Sequence, residues 1–367
     1  MTWDFRRMAA GNRHTAKNTP RGAEGRMGRN SLSHARRLVI RAILAPVVIV
    51  GLWGPPQPAA AENLTTSMAR AVREPLDAVP DGDIESPELV ELGRRLFFDA
   101  RLSADNKTAC ATCHNPEKGG SDGRPVPIGT DNVPRLFNTP SLFNAGFAAR
   151  FGWRGDDATL EDAVSNAVPA ELGSDWAVVT QRLAADATLA PIFPGGVSKP
   201  GIERALASYV RALTTPDAPF DRWLNGDASA LTPAQERGYA LFKSHGCAAC
   251  HQGRAVGGTM FQPIGLFKPF FPRKNTNSRA DLGRYAITGD EADRHSFKVP
   301  SLRNVARTAP YLHDGSVATL SGAVRLMAYY QVGRSLGDNE VSDIVAFLES
   351  LTAPLPPLAL PPKRPAS

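Results

Sequence analysis

Apolar positions along this chain recur at helical spacing. Leu89, Leu92 and Leu96 share one helical face, as do Ile202, Leu206, Tyr209, Val210 and Leu213, and again Val341, Ile344, Val345 and Leu348. Start signals precede two of the helical segments. Ser86-Pro87-Glu88 supplies a cap, a proline at the first helical position and an acid in the first turn; Thr232-Pro233-Ala234-Gln235 is a capping box. No convincing strand alternation is present, so the pattern predicts a mainly α protein. Between the helices run long Gly- and Pro-rich stretches, notably 115–140 and 252–300. Loops of that length count against an ordinary packed core unless something else fills it.

The helical pattern repeats. Gly93-Arg94-Arg95-Leu96-Phe97 and Gly238-Tyr239-Ala240-Leu241-Phe242 share G-x-x-L-F. Each is followed by a C-x-x-C-H pentapeptide, Cys110-Ala111-Thr112-Cys113-His114 and Cys247-Ala248-Ala249-Cys250-His251, and then by a glycine pair, Gly119-Gly120 and Gly257-Gly258. Two copies of one unit imply two similar domains in tandem.

C-x-x-C-H is the attachment signature of a c-type haem. Two thiols one helical turn apart can form thioethers to the haem vinyl groups, and the adjacent histidine then sits beneath the iron. All four cysteines lie in these motifs. A zinc or disulfide reading of a single C-x-x-C loses force when the pattern occurs twice with no cysteine to spare. The expectation is two covalently bound haem c groups, each supplying much of the core that the long loops wrap.

Charge divides the chain. The first 61 residues carry ten Lys or Arg and two acids; removing them from totals of 42 and 36 leaves 32 basic against 34 acidic residues. The excess positive charge therefore belongs to the leader, and no nucleic-acid partner is expected. Arg36-Arg37, the apolar run 38–53 interrupted by Arg41, and small residues up to Ala61 read as an export signal cleaved near Ala61. An uncleaved membrane anchor is the competing reading, but Arg41 shortens the clean apolar run below the roughly 18–20 residues of a span. The expected location is the periplasm, by a Sec or a Tat route. The expected organisation is leader 1–61, linker 62–84, N-terminal cytochrome c domain 85–225, C-terminal domain 226–352 and a proline-rich tail 353–367.

From about 85 to 350 the motifs resemble those of the bacterial dihaem cytochrome c peroxidase superfamily, which includes MauG-type enzymes. The resemblance rests on Phe137-Asn138-Thr139-Pro140-Ser141-Leu142-Phe143-Asn144, Trp153-Arg154-Gly155-Asp156, Val299-Pro300-Ser301-Leu302-Arg303-Asn304-Val305, Thr308-Ala309-Pro310-Tyr311-Leu312-His313-Asp314-Gly315 and Gln331-Val332-Gly333. It implies two tandem cytochrome-c-like domains. The N-terminal haem, on His114, meets hydrogen peroxide; the C-terminal haem, on His251, transfers electrons and is capped by Met327. It further implies Trp153 as the residue between the haems, Glu171 as the catalytic acid–base, and a calcium ion between the domains at Asn138 and the carbonyls of Thr308 and Pro310, oxygen donors that suit calcium.

Departures from the family pattern carry information. Relatives place Gly-His after the first motif, where the histidine caps the N-terminal haem; here the run is Ile128-Gly129-Thr130. The histidines are His14, His34, His114, His245, His251, His295 and His313, and the methionines Met1, Met8, Met27, Met68, Met260 and Met327, so neither type occurs between 115 and 244. Trp-Arg-Gly-Asp stands where relatives read Trp-Asp-Gly-Arg, and Ala163 where many have glutamine. Bland readings stand beside the functional ones: Met327 as a core methionine, Trp153 as packing at a domain junction, Glu171 as a solvated carboxylate, His313 as a loop or propionate contact, His245 as a surface residue. Arg284 and Arg303 are candidates to pair with propionates.

Three functions are therefore expected in order. The first is a periplasmic peroxidase taking electrons from a small cytochrome c or cupredoxin. The second is a MauG-type enzyme that oxidises aromatic side chains of a partner protein. The third is a non-enzymatic dihaem electron carrier. A homodimer is a further expectation.

Overall fold

The computed structural model describes residues 74–80, 86–271 and 278–362. The leader and its cleavage point lie outside them. The helices are α1 (Pro87–Phe97), α2 (Cys110–Cys113), α3 (Leu160–Ala170), α4 (Trp176–Ala184), α5 (Lys199–Ala212), α6 (Pro219–Leu224), α7 (Pro233–Ser244), α8 (Tyr285–Thr288), α9 (Leu320–Gln331) and α10 (Asp338–Ser350). A three-residue antiparallel ribbon pairs β1 (Phe261–Pro263) with β2 (Ser296–Lys298), in register Phe261 to Lys298. Strands this short leave no alternation to read in the sequence. No helix among the described residues is long and apolar enough to cross a membrane.

The start signals act as expected. Ser86 accepts from Leu89 N–H at 3.3 Å at the head of α1. At the head of α7, Thr232 N–H donates to Gln235 at 2.8 Å and Gln235 N–H returns to the Thr232 hydroxyl. These bonds satisfy donors that a helix cannot pair internally.

The repeat is physical. In G-x-x-L-F the glycine is where two helices cross. A Cβ on Gly93 would lie 1.9 Å from the Ala205 carbonyl oxygen of α5, and one on Gly238 1.8 Å from that of Asp343 on α10. Only hydrogen at those positions allows the crossings. Around the first grows a core containing Leu92, Leu96, Phe97, Ile202, Leu206 and Tyr209; around the second, one containing Tyr239, Phe242, Val341, Ile344 and Phe347. Aromatic contacts knit each, Phe97 with Tyr209 at 5.1 Å and Phe242 with Phe347 at 5.1 Å.

The segments flanking the repeat exchange partners. Leu76, within the stretch expected to be a linker, is buried in the second core, as are Phe220 and Leu224 of α6. Gly253 N–H donates to Pro75 O at 2.9 Å. Conversely Leu355, Leu358 and Ala359 of the tail pack on the first core, and the Tyr209 hydroxyl donates to Leu358 O at 3.3 Å. One buried threonine joins the copies. Thr215 Oγ1 accepts from Asn144 Nδ2 at 2.7 Å and from Asn304 Nδ2 at 2.9 Å. Both asparagines are left-handed, φ 61° and 60°, a conformation asparagine tolerates.

Candidate functional site: two cysteine–histidine centres

The first motif forms one helical turn. The Thr112 hydroxyl accepts from Ala109 N–H at 2.9 Å, and His114 N–H closes the turn on Cys110 O at 2.9 Å. Cys110 and Cys113 thus emerge one turn apart on a rigid element. His114 Nδ1 lies 3.1 Å from Pro140 O, which can only accept, so Nδ1 carries the proton and Nε2 keeps its lone pair. Burial holds the ring's pKa below its ordinary value, which favours the neutral form a metal needs.

The second centre repeats this arrangement. His251 N–H bonds Cys247 O at 3.0 Å, and His251 Nδ1 faces Val256 O at 3.3 Å. Burial pushes the His251 pKa down to about 4. Ser141 and Ser301 brace the two copies alike, each donating to a loop carbonyl at 2.7 Å, Gly119 O and Ala255 O.

All four cysteines are free. Desolvation pushes Cys110 up to about 12 and Cys247 up to about 11, and raises Cys113 and Cys250. Cysteines that react as free thiolates need the reverse, a stabilised thiolate. Among the described residues the grouping of possible metal ligands is Asp281, His313 and Asp314, which includes no cysteine.

Around the second motif opens a cavity of about 530 Å³. Cys247, Cys250 and His251 line it, as does Met327 of α9, so the structure brings the methionine into the space His251 faces. Most of the remaining wall surface is apolar, with Leu320, Val324, Ile344 and Leu348 among its residues. Such a wall suits a porphyrin face. Its edge carries a complementary charge. Lys298 of β2 lines the same cavity with no carboxylate partner among the described residues, and desolvation lowers its pKa to about 8. An ammonium left unpaired in a buried cavity is what an anionic group would satisfy, and haem propionates fit it. The residues present therefore fit a covalent haem.

Trp153 also lines this cavity; its Nε1–H donates to Asn138 O at 2.8 Å and its carbonyl accepts from Lys298 N–H at 2.9 Å. Pro140, whose carbonyl holds His114, is on the same wall. The fixed tryptophan thus stands where the proximal loop of the first centre meets the cavity of the second. Asn138, Thr308 and Pro310 line this cavity as well. Asn138 Nδ2 donates to Arg124 O and Pro125 O, which turns its Oδ1 away from them. That oxygen and the carbonyls of Thr308 and Pro310 accept no hydrogen bond among the described residues. Three unclaimed oxygens suit a hard cation.

Glu171 is placed elsewhere, at the end of α3 and close enough to Cys113 to bias its thiol. Desolvation raises its pKa, and the neighbouring Arg135 opposes the rise. Arg135 and Lys298 carry no motif signal, and the sequence singled out neither.

The two arginines expected near propionates also have protein partners. Arg303, buried on the cavity wall, gives its guanidinium to protein groups: Asp221 at 2.7 Å, Asp77 O at 2.7 Å and Arg254 O at 2.9 Å. It fixes residues 76–79 to the second core. Arg284 bonds Arg154 O at 3.1 Å, pairs with Asp293 at 3.5 Å and lies over the Phe261 ring. His313 is fully buried, its Nε2 on Asp281 at 2.9 Å and its Nδ1 without a partner. His245 pairs with Glu340 at 3.3 Å.

A family model described as di-haem cytochrome c peroxidase matches residues 87–229. The cytochrome c peroxidase Ccp of Escherichia coli is 44% identical over 285 residues, 76% of this chain and 61% of that protein. The chain therefore spans less than two thirds of that relative. The cytochrome c551 peroxidase of Nitrosomonas europaea is 38% identical, covering 79% of this chain and 88% of the relative. Among solved structures, a MauG-like protein associated with microbial copper homeostasis superposes with a TM-score of 0.65 at 31% identity, over 79% of this chain and 95% of its own.

Proposed function

The chain belongs to the di-haem cytochrome c peroxidase family, and from that membership we propose that it reduces hydrogen peroxide in the periplasm at the first of two haem c groups. Cys110, Cys113 and His114 hold that group. Cys247, Cys250 and His251 hold the second, Met327 caps it, and it relays electrons from a small cytochrome c or cupredoxin. The basic, apolar leader supports export, and the three unclaimed oxygens support calcium at Asn138, Thr308 and Pro310.

When bound, the first haem supplies the iron at which peroxide is reduced. The protein's own tasks follow from its geometry. His114 presents a neutral Nε2, kept so by burial and by the Pro140 carbonyl. Glu171 takes the proton from one peroxide oxygen and delivers it to the other, which then leaves as water. Two protons and two electrons complete the balance, giving two waters from one peroxide. Trp153, held by Asn138 and Lys298, bridges the two centres.

One observation carries this reading: Met327 shares the His251 cavity, while the stretch from 115 to 244 contains no histidine or methionine. Met327 would then hold the second haem together with His251, while no histidine or methionine of 115–244 would join His114 in holding the first. The fully ferric protein should give one high-spin and one low-spin electron paramagnetic resonance signal and should react with peroxide in stopped flow without prior reduction. Two low-spin signals, or a ferric form inert to peroxide, would overturn it.

The open first site and the MauG-like structural neighbour also favour a second reading, in which the oxidised protein attacks an aromatic side chain of a partner protein. A protein substrate consumed without any added electron donor would establish that reading.

A further inference from the structure

We propose that Arg135 is a positioning residue for Glu171, holding its carboxylate beside the first centre, where it can accept peroxide's first proton. This rests on the reading of Glu171 as the proton carrier.

The contact is built from a tight hairpin. Ile128 bridges Pro134, Gly129 N–H donates to Val133 O at 2.9 Å, and Arg135 N–H returns to Pro127 O at 2.8 Å. Arg135 leaves this hairpin toward the turn that ends α3. Its Nε lies 3.1 Å from Glu171 Oε2, and its Nη2 donates to Glu171 O at 3.3 Å. The guanidinium therefore pairs with the Glu171 carboxylate without a hydrogen bond from Nε, bonds the Glu171 backbone through Nη2, and is steadied from its own hairpin by Nη1 donating to Asp131 at 3.1 Å, a spread of contacts that lysine could not reproduce in full. The arginine side chain is 16% exposed and the glutamate 55%, so the pair has a buried anchor and an accessible carboxylate.

Two further contacts show that the hairpin and the turn are fitted to each other. A Cβ on Gly129 would stand 1.9 Å from Arg135 Nη2 and 2.0 Å from its Cζ. Glycine is needed there for the guanidinium's space, since φ at 129 is not left-handed. Thr130, at the position where relatives carry the capping histidine, puts its hydroxyl 2.7 Å from where a Cβ on Gly173 would be. The segment that closes the haem in relatives here bears on the acid–base residue instead.

The charged groups around Glu171 are Arg135 and Asp131 of the hairpin, with Asp122 and Arg124 farther round Cys113. Burial and Asp131 favour the neutral carboxyl; Arg135 favours the carboxylate. A neutral carboxyl cannot take a proton from peroxide, so this balance sets the lower pH limit of the reaction. The step conserves atoms: one proton moves from one peroxide oxygen to Glu171 and on to the other oxygen.

The test uses the holoenzyme and three variants, Arg135→Gln, Arg135→Lys and Gly129→Ala. Infrared difference spectra recorded during acidification report the Glu171 carboxyl band, identified by its loss in Glu171→Gln. Stopped flow reports the reaction of the ferric form with peroxide across pH. In Arg135→Gln the band should appear at higher pH than in wild type, and the acid limb of the rate profile should move up with it. Rates should converge with wild type in alkali. Arg135→Lys should recover part of the shift. Gly129→Ala, which keeps the charge but displaces it, should reproduce the glutamine variant. A rate lowered equally at every pH with an unmoved band would overturn the proposal while leaving Glu171 as proton carrier. A Glu171→Gln enzyme as fast as wild type would overturn the underlying reading and the proposal with it.

Discussion

At the scale of single residues, this protein's chemistry is decided by which polar atoms are left without partners. In the proposed reading Met327, which lines the His251 cavity, gives the second centre a thioether, a ligand that favours ferrous iron. Met327→His should therefore lower the midpoint potential of that haem by tenths of a volt, within the roughly 0.8 V range that axial ligands set. A spectroelectrochemical titration measures it, and the near-infrared methionine band should vanish while both haems remain attached. An unchanged titration would show a different ligand. The cysteines and proximal histidines were legible because C-x-x-C-H is a local pattern. Lys298 was not, because only the fold reveals that it pairs with no carboxylate among the described residues. Arg135 and Glu171 are 36 residues apart in irregular chain, where no period connects them.

At the scale of elements, the amphipathic faces read from spacing are the faces that pack. Ile202, Leu206, Tyr209, Val210 and Leu213 are all buried, as are Val341, Ile344 and Leu348. The role of the repeated glycine emerges only from the crossing of α7 with α10, where a Cβ on Gly238 would meet backbone at 1.8 Å. Gly238→Ala should therefore destabilise the protein, although alanine is the better helix former by about 1 kcal/mol. The collision is with a carbonyl that cannot rotate away, so the helices must separate, at a net cost of about 1–3 kcal/mol. Chemical denaturation should show the fall in midpoint; an unchanged or raised midpoint would mean that the crossing relaxes without cost. The β1–β2 ribbon escaped the sequence because three-residue strands have no alternation.

At the scale of the molecule, the two copies are interlocked. Leu76 lies in the second core and Leu355, Leu358 and Ala359 lie on the first, while Thr215 ties Asn144 to Asn304 between them. The tandem arrangement was visible in the repeat, but this exchange was not, since a lone Leu76 and leucines among prolines carry no period. Removing residues 354–367 should cost about 2–4 kcal/mol, the worth of one or two buried leucines, and should loosen the first core before the second. Limited proteolysis with haem-stained fragments would check the order; equal loss of both would contradict it.

The crossed tail also sets an order of events in time. Residues 355–359, which finish the first core, are synthesised about 245 positions after Cys110. In a chain exported amino end first, as the periplasmic reading has it, the first motif emerges before the tail that finishes its core. Thioether formation needs both thiols within reach of a haem-delivering enzyme, and a closed core would hide Cys110. The late arrival of the tail keeps that window open, so covalent capture of the first haem can precede the closing of the core around it.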